Sequence, residues 1–213
     1  MWWSGDAWED SPMGHIAAGV WRGYRELPTL VDVWRSAPLQ ALARLHALVA
    51  KDLEPADDLG RPRRGSAEPN DPLRLGPAPS PEAVVARLGL LSTLVSNGTT
   101  APALVEAAVV HGELMTLRPF QTSSGAIARM ATRLVLTARM LDPDQLSVPE
   151  AGLVALGRPR YVAALRGYAS GTPAGVAEWI GHLGSAVVAG AAAGDEILSE
   201  IRAEGVGNQG LGE

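Results

Sequence analysis

The amino-acid sequence predicts an all-α fold. Three observations carry the prediction. Apolar residues recur at three- and four-residue steps along most of the chain. Proline and glycine cluster between those stretches. No run of four to eight β-branched residues with the look of a strand interrupts them.

Taken in order, the first 35 residues hold five of the six tryptophans, some beside charges as in Trp8-Glu9-Asp10 and Trp34-Arg35. Tryptophan is mostly packing area, so this start reads as an extension docked through aromatic anchors, or else as a partner surface. From Pro28 to Leu53 the pattern is helical, with Leu30, Val33, Leu39, Leu42, Leu45 and Leu48 as its stripe. Pro38 breaks it into two helices. Residues 54–81 are too rich in proline and glycine for helix, and read as a linker or an ordered flap. Ser80-Pro81-Glu82 then supplies an N-cap and a first-turn proline. The helix it opens runs to about Val95 and stops at Asn97-Gly98. A second runs from Pro102 to Leu117, and a third from Ser124 to Leu141, before Asp142-Pro143. Two more cover Arg160 to Ala169 and Ala174 to Glu204, the last with glycines as candidate breaks. The resulting organisation is a tryptophan-rich helical extension over 1–50, a domain over 51–204 and a disordered tail over 205–213.

Composition narrows the function. With 213 residues and an apolar fraction of 46%, the chain can bury a real core. Zero cysteine excludes disulfide scaffolds, thiol nucleophiles and cysteine-ligated metal. A net charge of −5 argues against a phosphate-backbone footprint, so no nucleic-acid partner is expected. The arginine-for-lysine bias reflects a GC-rich, bacterial-type genome rather than a function. The start lacks a basic and an apolar signal region, and the apolar run Leu183 to Ala193 is short for a bilayer. A cytoplasmic protein with no membrane partner is the expectation; the oligomeric state is open.

Four histidines occur, none paired at i, i+4, so no helical metal pair exists and no metal site is expected. Serine-hydrolase, Walker and dinucleotide glycine motifs are absent. One segment stands out: Leu117-Arg118-Pro119-Phe120-Gln121-Thr122-Ser123-Ser124-Gly125-Ala126-Ile127-Ala128-Arg129. It is a short polar turn between two helices. Ser123, Ser124 and Gly125 place amides and hydroxyls at a helix start, a general anion site. Arg129 and Arg133 lie one turn apart, where an anion would relieve their repulsion. The alternative is a capped helix with solvated arginines.

These residues resemble the Fic (Fido) family, whose signature is His-x-Phe-x-Asp/Glu-Gly-Asn-Gly-Arg-x-x-Arg. The sequence keeps Pro119, Phe120, Gly125 and Arg129 of that segment. Arg118 stands at the catalytic histidine, Thr122 at the metal-binding carboxylate, Ser123 at the first glycine, Ser124 at the asparagine and Ala126 at the first arginine. The likeness spans roughly 50–185, with 60–79 resembling the segment that carries the target-docking flap, as a loop or short β-hairpin.

Active family members transfer AMP from ATP and Mg²⁺ to a target hydroxyl, with the histidine as base. Arginine cannot act as that base, and threonine is a poor Mg²⁺ ligand. Loss of a base alone costs about 10²- to 10⁴-fold. The resemblance therefore implies a degenerate member, inactive in AMPylation. It would bind a phosphate-containing or nucleotide ligand, or a protein partner, through Arg118, Ser123, Ser124, Gly125 and Arg129. ATP and Mg²⁺ enter by the resemblance alone. A transferase of altered chemistry is the alternative, with proton transfer falling to His111 or Glu113. The bland alternative pairs Arg118 and Arg129 with internal acids such as Glu106 or Glu113.

Overall fold

The computed structural model describes residues 10–209, with side chains described to Ala203. Among the described residues there are eight helices and no strand. The chain divides into two compact units, residues 1–141 and 142–213.

The first unit contains α1 (Pro12–Ser36), α2 (Pro38–Val49), α3 (Pro81–Asn97), α4 (Ala103–Leu117) and α5 (Ser124–Ala138). α1 begins well before Pro28, where the sequence pattern first looks helical. Ser11 caps it by accepting from the Gly14 amide at 3.0 Å, and Pro12 occupies the first turn. Pro28 is carried inside the helix. A weak apolar stripe hid this first half, because α1 presents Gly14, Gly19 and Gly23 as buried positions there.

Those glycines set the packing. α1 lies against α2 and α5, and α4 lies against α5. A Cβ on Gly19 would overlap the Val49 carbonyl oxygen, and one on Gly23 would meet Met130 at 2.6 Å. Gly19→Ala is therefore expected to destabilise the chain by about 1–3 kcal/mol, because backbone rather than a flexible tip must yield. Urea denaturation measures this. Trp34, Leu27, Leu45, Leu114, Ile127 and Leu134 fill the core between these helices. So α1 and α2, read from sequence as an extension, build the first unit's core. Of the tryptophans at the start, Trp34 is buried and Trp21 is exposed, while Trp2, Trp3 and Trp8 lie outside the described residues.

Residues 50–80 connect α2 to α3 without helix or strand, so the flap here is a loop. It is nevertheless tied down. Arg63, mostly buried, donates from its backbone to Pro119 O (2.7 Å) and from Nε to Arg118 O (2.9 Å). Asn70 N donates to Gln121 O at 2.9 Å, and Gln121 Nε2 donates to Glu68 O at 2.8 Å. The connecting segment is laid along residues 117–121 by these bonds.

The second unit contains α6 (Pro149–Leu156), α7 (Arg158–Ala169) and α8 (Pro173–Gln209). α6 is absent from the sequence reading; eight residues give the periodic signal too few turns. α8 is unbroken at its glycines, and 205–209, expected as a disordered tail, continue it. Residues 210–213 lie outside the described residues. The glycines serve close packing: a Cβ on Gly152 would overlap the Ala186 carbonyl oxygen, and one on Gly190 that of Val148. Residues Pro173–Ala203 of α8 reach the length and mean hydropathy (1.2) of a membrane-crossing helix.

Trp179 and His182 of α8 stack on each other at 5.9 Å, and His182 lies tilted against Tyr161 of α7 at 6.0 Å. Burial, and then the Arg160 charge, hold the His182 pKa below its ordinary value, against a smaller pull from Glu178. The folded chain thus binds this proton less readily than the unfolded chain. Stability is full above the ordinary histidine pKa of about 6.5 and is lost as pH falls below it, until the folded pKa is passed. Thermal unfolding at pH 7.5 and 5.5 should show the loss, and His182→Asn should lessen it.

Candidate functional site

The site is built on the turn from α4 to α5. α4 ends where Arg118 turns left-handed, at φ 46° and ψ 65°. That conformation costs a non-glycine residue about 1–2 kcal/mol, and the bonds from Arg63 hold it in place. Phe120, also buried, stacks flat on His46, with centroids 4.0 Å apart and planes 5° apart. Ser123 is again left-handed, at φ 63°, and opens α5. Position 123 thus demands a conformation that glycine adopts freely, and there the family signature has its first glycine.

Arg118 is buried, with 5% of its side chain exposed. Its Nη1 sits 2.7 Å from Asp71 Oδ2, and Nη2 donates to Gly76 O at 2.7 Å. Both partners belong to the connecting segment. Nε and Nη1 have no aligned hydrogen-bond acceptor, so the contact with Asp71 is an attraction between charges. The acids suggested by sequence for this arginine lie elsewhere: Glu106 pairs with Arg139, and Glu113 with Arg87.

Thr122 is held by a second acid of the connecting segment. Its amide and its hydroxyl donate to Glu54 Oε1, at 2.7 and 2.5 Å. His46 Nε2 approaches the same oxygen at 3.3 Å. Because His46 Nδ1 accepts from the Gly60 amide at 3.0 Å, the proton is on Nε2 and is donated to Glu54. Burial raises the Glu54 pKa, but the hydrogen bonds from His46 and Thr122 outweigh it, and the net shift is downward. Glu54 is an ionised, buried acceptor beneath the turn.

At the start of α5, Ile127 makes the first helical bond, to Ser123 O at 3.1 Å. The amides of Ser124, Gly125 and Ala126 precede it. The helix has no side-chain cap and no acid in its first turn. The Ser124 hydroxyl is turned back on Phe120 O at 3.4 Å, so at this residue only the amide is on offer. These groups, with Arg118 and Arg129, line a cavity of about 390 Å³. Its remaining wall comes from α1, α2, α4 and the connecting segment and is mostly apolar, with Asn70 and Asp71 as its polar members. Arg129 makes no hydrogen bond or ion pair among the described residues.

The structure thus gathers Arg118, Thr122, Ser123, Ser124, Gly125 and Arg129 around one cavity. It places the secondary candidates elsewhere. His111 is fully buried, with Nδ1 2.8 Å from Thr132 Oγ1. Glu113 faces Arg87 at 2.6 Å. The Arg133 guanidinium lies over the Tyr24 ring at 5.4 Å, so no anion is needed between it and Arg129. Glu54, Asp71, His46 and Arg63 are absent from the sequence-derived site. Acids and arginines in an irregular segment carry no periodicity, and only tertiary pairing assigns them a place.

No family model matches the sequence, and no curated protein matches it. Solved structures do match. A segment of Fic-1 from C. elegans aligns with a TM-score of 0.65 at 18% identity, over 92% of this chain and 54% of that one. A Fic family protein from Desulfovibrio desulfuricans G20 aligns with a TM-score of 0.61 at 19% identity, over 89% and 55% respectively. The chain spans about half the length of these structures. At such identities the likeness establishes the fold, and the chain has an all-α, Fic-like fold.

Proposed function

We propose that the chain is a Fic-like protein with a degenerate site, which holds a small anion at the start of α5 without transferring AMP. One observation carries the reading. Arg129, with no partner among the described residues, faces a cavity beside the uncapped amides of Ser124, Gly125 and Ala126. That is a charge and a helix N-terminus directed at one space.

The groups that AMP transfer needs are not supplied. Arg118 stays protonated and cannot take a hydroxyl proton. The histidine nearest the turn, His46, has both ring nitrogens engaged and no exposed surface. Nor does the donor set fit the Mg²⁺ and ATP that the fold implies. Thr122 gives its hydroxyl proton to Glu54, and Asp71 faces Arg118. No group of three or more His, Cys, Asp or Glu able to hold a metal occurs among the described residues.

Labelled ATP with Mg²⁺ should leave the chain and added proteins unmodified. In a thermal-shift panel of inorganic phosphate, ATP and organic acids, at least one anion should stabilise the chain. At a hundred times its Kd the gain is about 2.7 kcal/mol. Arg129→Ala should abolish that shift. AMP transfer, or an unaltered shift in Arg129→Ala, defeats the proposal.

A further inference from the structure

The cavity's charge and walls specify the kind of anion, given that the anion site proposed above exists. Of the two cationic side chains that line it, Arg118 already faces Asp71 at 2.7 Å. That leaves one uncompensated positive charge, on Arg129. A triphosphate brings several negative charges and meets only one. A phosphate monoester, at about −1.5 to −2, is also in excess. A carboxylate brings one, and its two oxygens match the paired N–H donors of a guanidinium.

Beside Asn70 and Thr122, most of the remaining lining is hydrocarbon. Ile16 and Val20 of α1, Leu53, Leu73 and Leu75 of the connecting segment, and Met115 of α4 face the same space. Such a wall offers little to a ribose or to phosphate oxygens. It does favour a chain or ring that leaves water. A volume of about 390 Å³ falls at the small end of organic-ligand pockets.

We infer that the cavity takes a small organic carboxylate with an apolar body. The carboxylate sits between Arg129 and the amides of 124–126, and the apolar body lies against Val20, Leu73, Leu75 and Met115.

The test is calorimetric titration of the full chain with acetate, butanoate, hexanoate and 3-phenylpropanoate, alongside inorganic phosphate, phenyl phosphate and ATP. Affinity should rise with chain length, by up to about fourfold per buried methylene. Hexanoate should therefore bind at least about tenfold tighter than acetate. Arg129→Ala should remove hexanoate binding. Leu75→Ser, in an irregular segment, should weaken hexanoate and leave acetate unchanged. If phosphate or ATP binds through Arg129 while hexanoate and 3-phenylpropanoate do not, the inference is overturned and the anion site stands. If carboxylate affinity is independent of chain length, the apolar part of the inference is overturned. If none of these anions binds, both readings fall.

Discussion

Asp71→Ala is expected to destabilise the first unit by roughly 3 kcal/mol, and to make its stability depend on anions in the buffer. Arg118 would keep its charge, because guanidinium does not deprotonate in a protein. Its side chain is only 5% exposed and would lose the one carboxylate beside it. Breaking a buried pair from one side costs about 3–5 kcal/mol, most of it the burden of the orphaned charge. The lower end applies, since Asp71 itself keeps a fifth of its surface in water (20%). Urea denaturation in chloride and in phosphate separates the two effects. Phosphate should recover part of the loss by taking the place of the missing carboxylate, with a second cation now free in the cavity. The same variant should bind phenyl phosphate more tightly than the parent does, because the cavity would carry two positive charges. A loss below about 0.5 kcal/mol, typical of a surface pair, would show that Asp71 does not hold Arg118.

How far the sequence displays this arrangement depends on the range of the forces involved. α3, α4 and α5 stop or start within three residues of the positions read from Ser80-Pro81, Asn97-Gly98, Pro102 and Ser124. Their ends are written in local chemistry, in caps, prolines and a left-handed turn. The first half of α1 is hidden because its buried face is glycine, which adds nothing to an apolar stripe yet permits the closest backbone approach. At the site, the motif residues sit together on one turn and are visible together. Their partners are not. Asp71 is 47 positions from Arg118 (118 minus 71), in a segment with no periodicity. Glu54 meets Thr122 across 68 positions. Sequence reading accordingly offered Glu106 and Glu113 as partners, acids on regular helices whose place can be counted. The structure gives those two to Arg139 and Arg87.

Two positions of the turn share a feature. Arg118 meets Asp71, and Thr122 meets Glu54. Each of the two is matched to an acid of the connecting segment. Glu54→Ala tests the second pair. Glu54 Oε1 takes the Thr122 amide, the Thr122 hydroxyl and the His46 ring N–H, with 5% of the Glu54 side chain exposed. Hydrogen bonds to a charged group are worth about 1.5–3 kcal/mol, and each donor left buried adds about 1–3 kcal/mol, so a total near 3 kcal/mol is the conservative expectation. Anion affinity should fall too, because Thr122 is the residue that leads Ser123 into its left-handed turn. The pH dependence has a definite sign. The lowered Glu54 pKa means the stabilisation is full above the ordinary carboxylate value of 4.5 and is lost as pH falls through it. Glu54→Gln, which keeps the shape and an acceptor but not the charge, should lie between parent and alanine variant and lack that acid-side loss. Thr122→Asp gives the sharper outcome. A carboxylate at 122 would set a second anion against Glu54 Oε1 and remove a donor from it. It should therefore destabilise the chain by an amount comparable to Glu54→Ala, and Thr122→Asp combined with Glu54→Gln should recover much of the loss. If Thr122→Asp alone were neutral in thermal unfolding, the two residues would not be a matched pair.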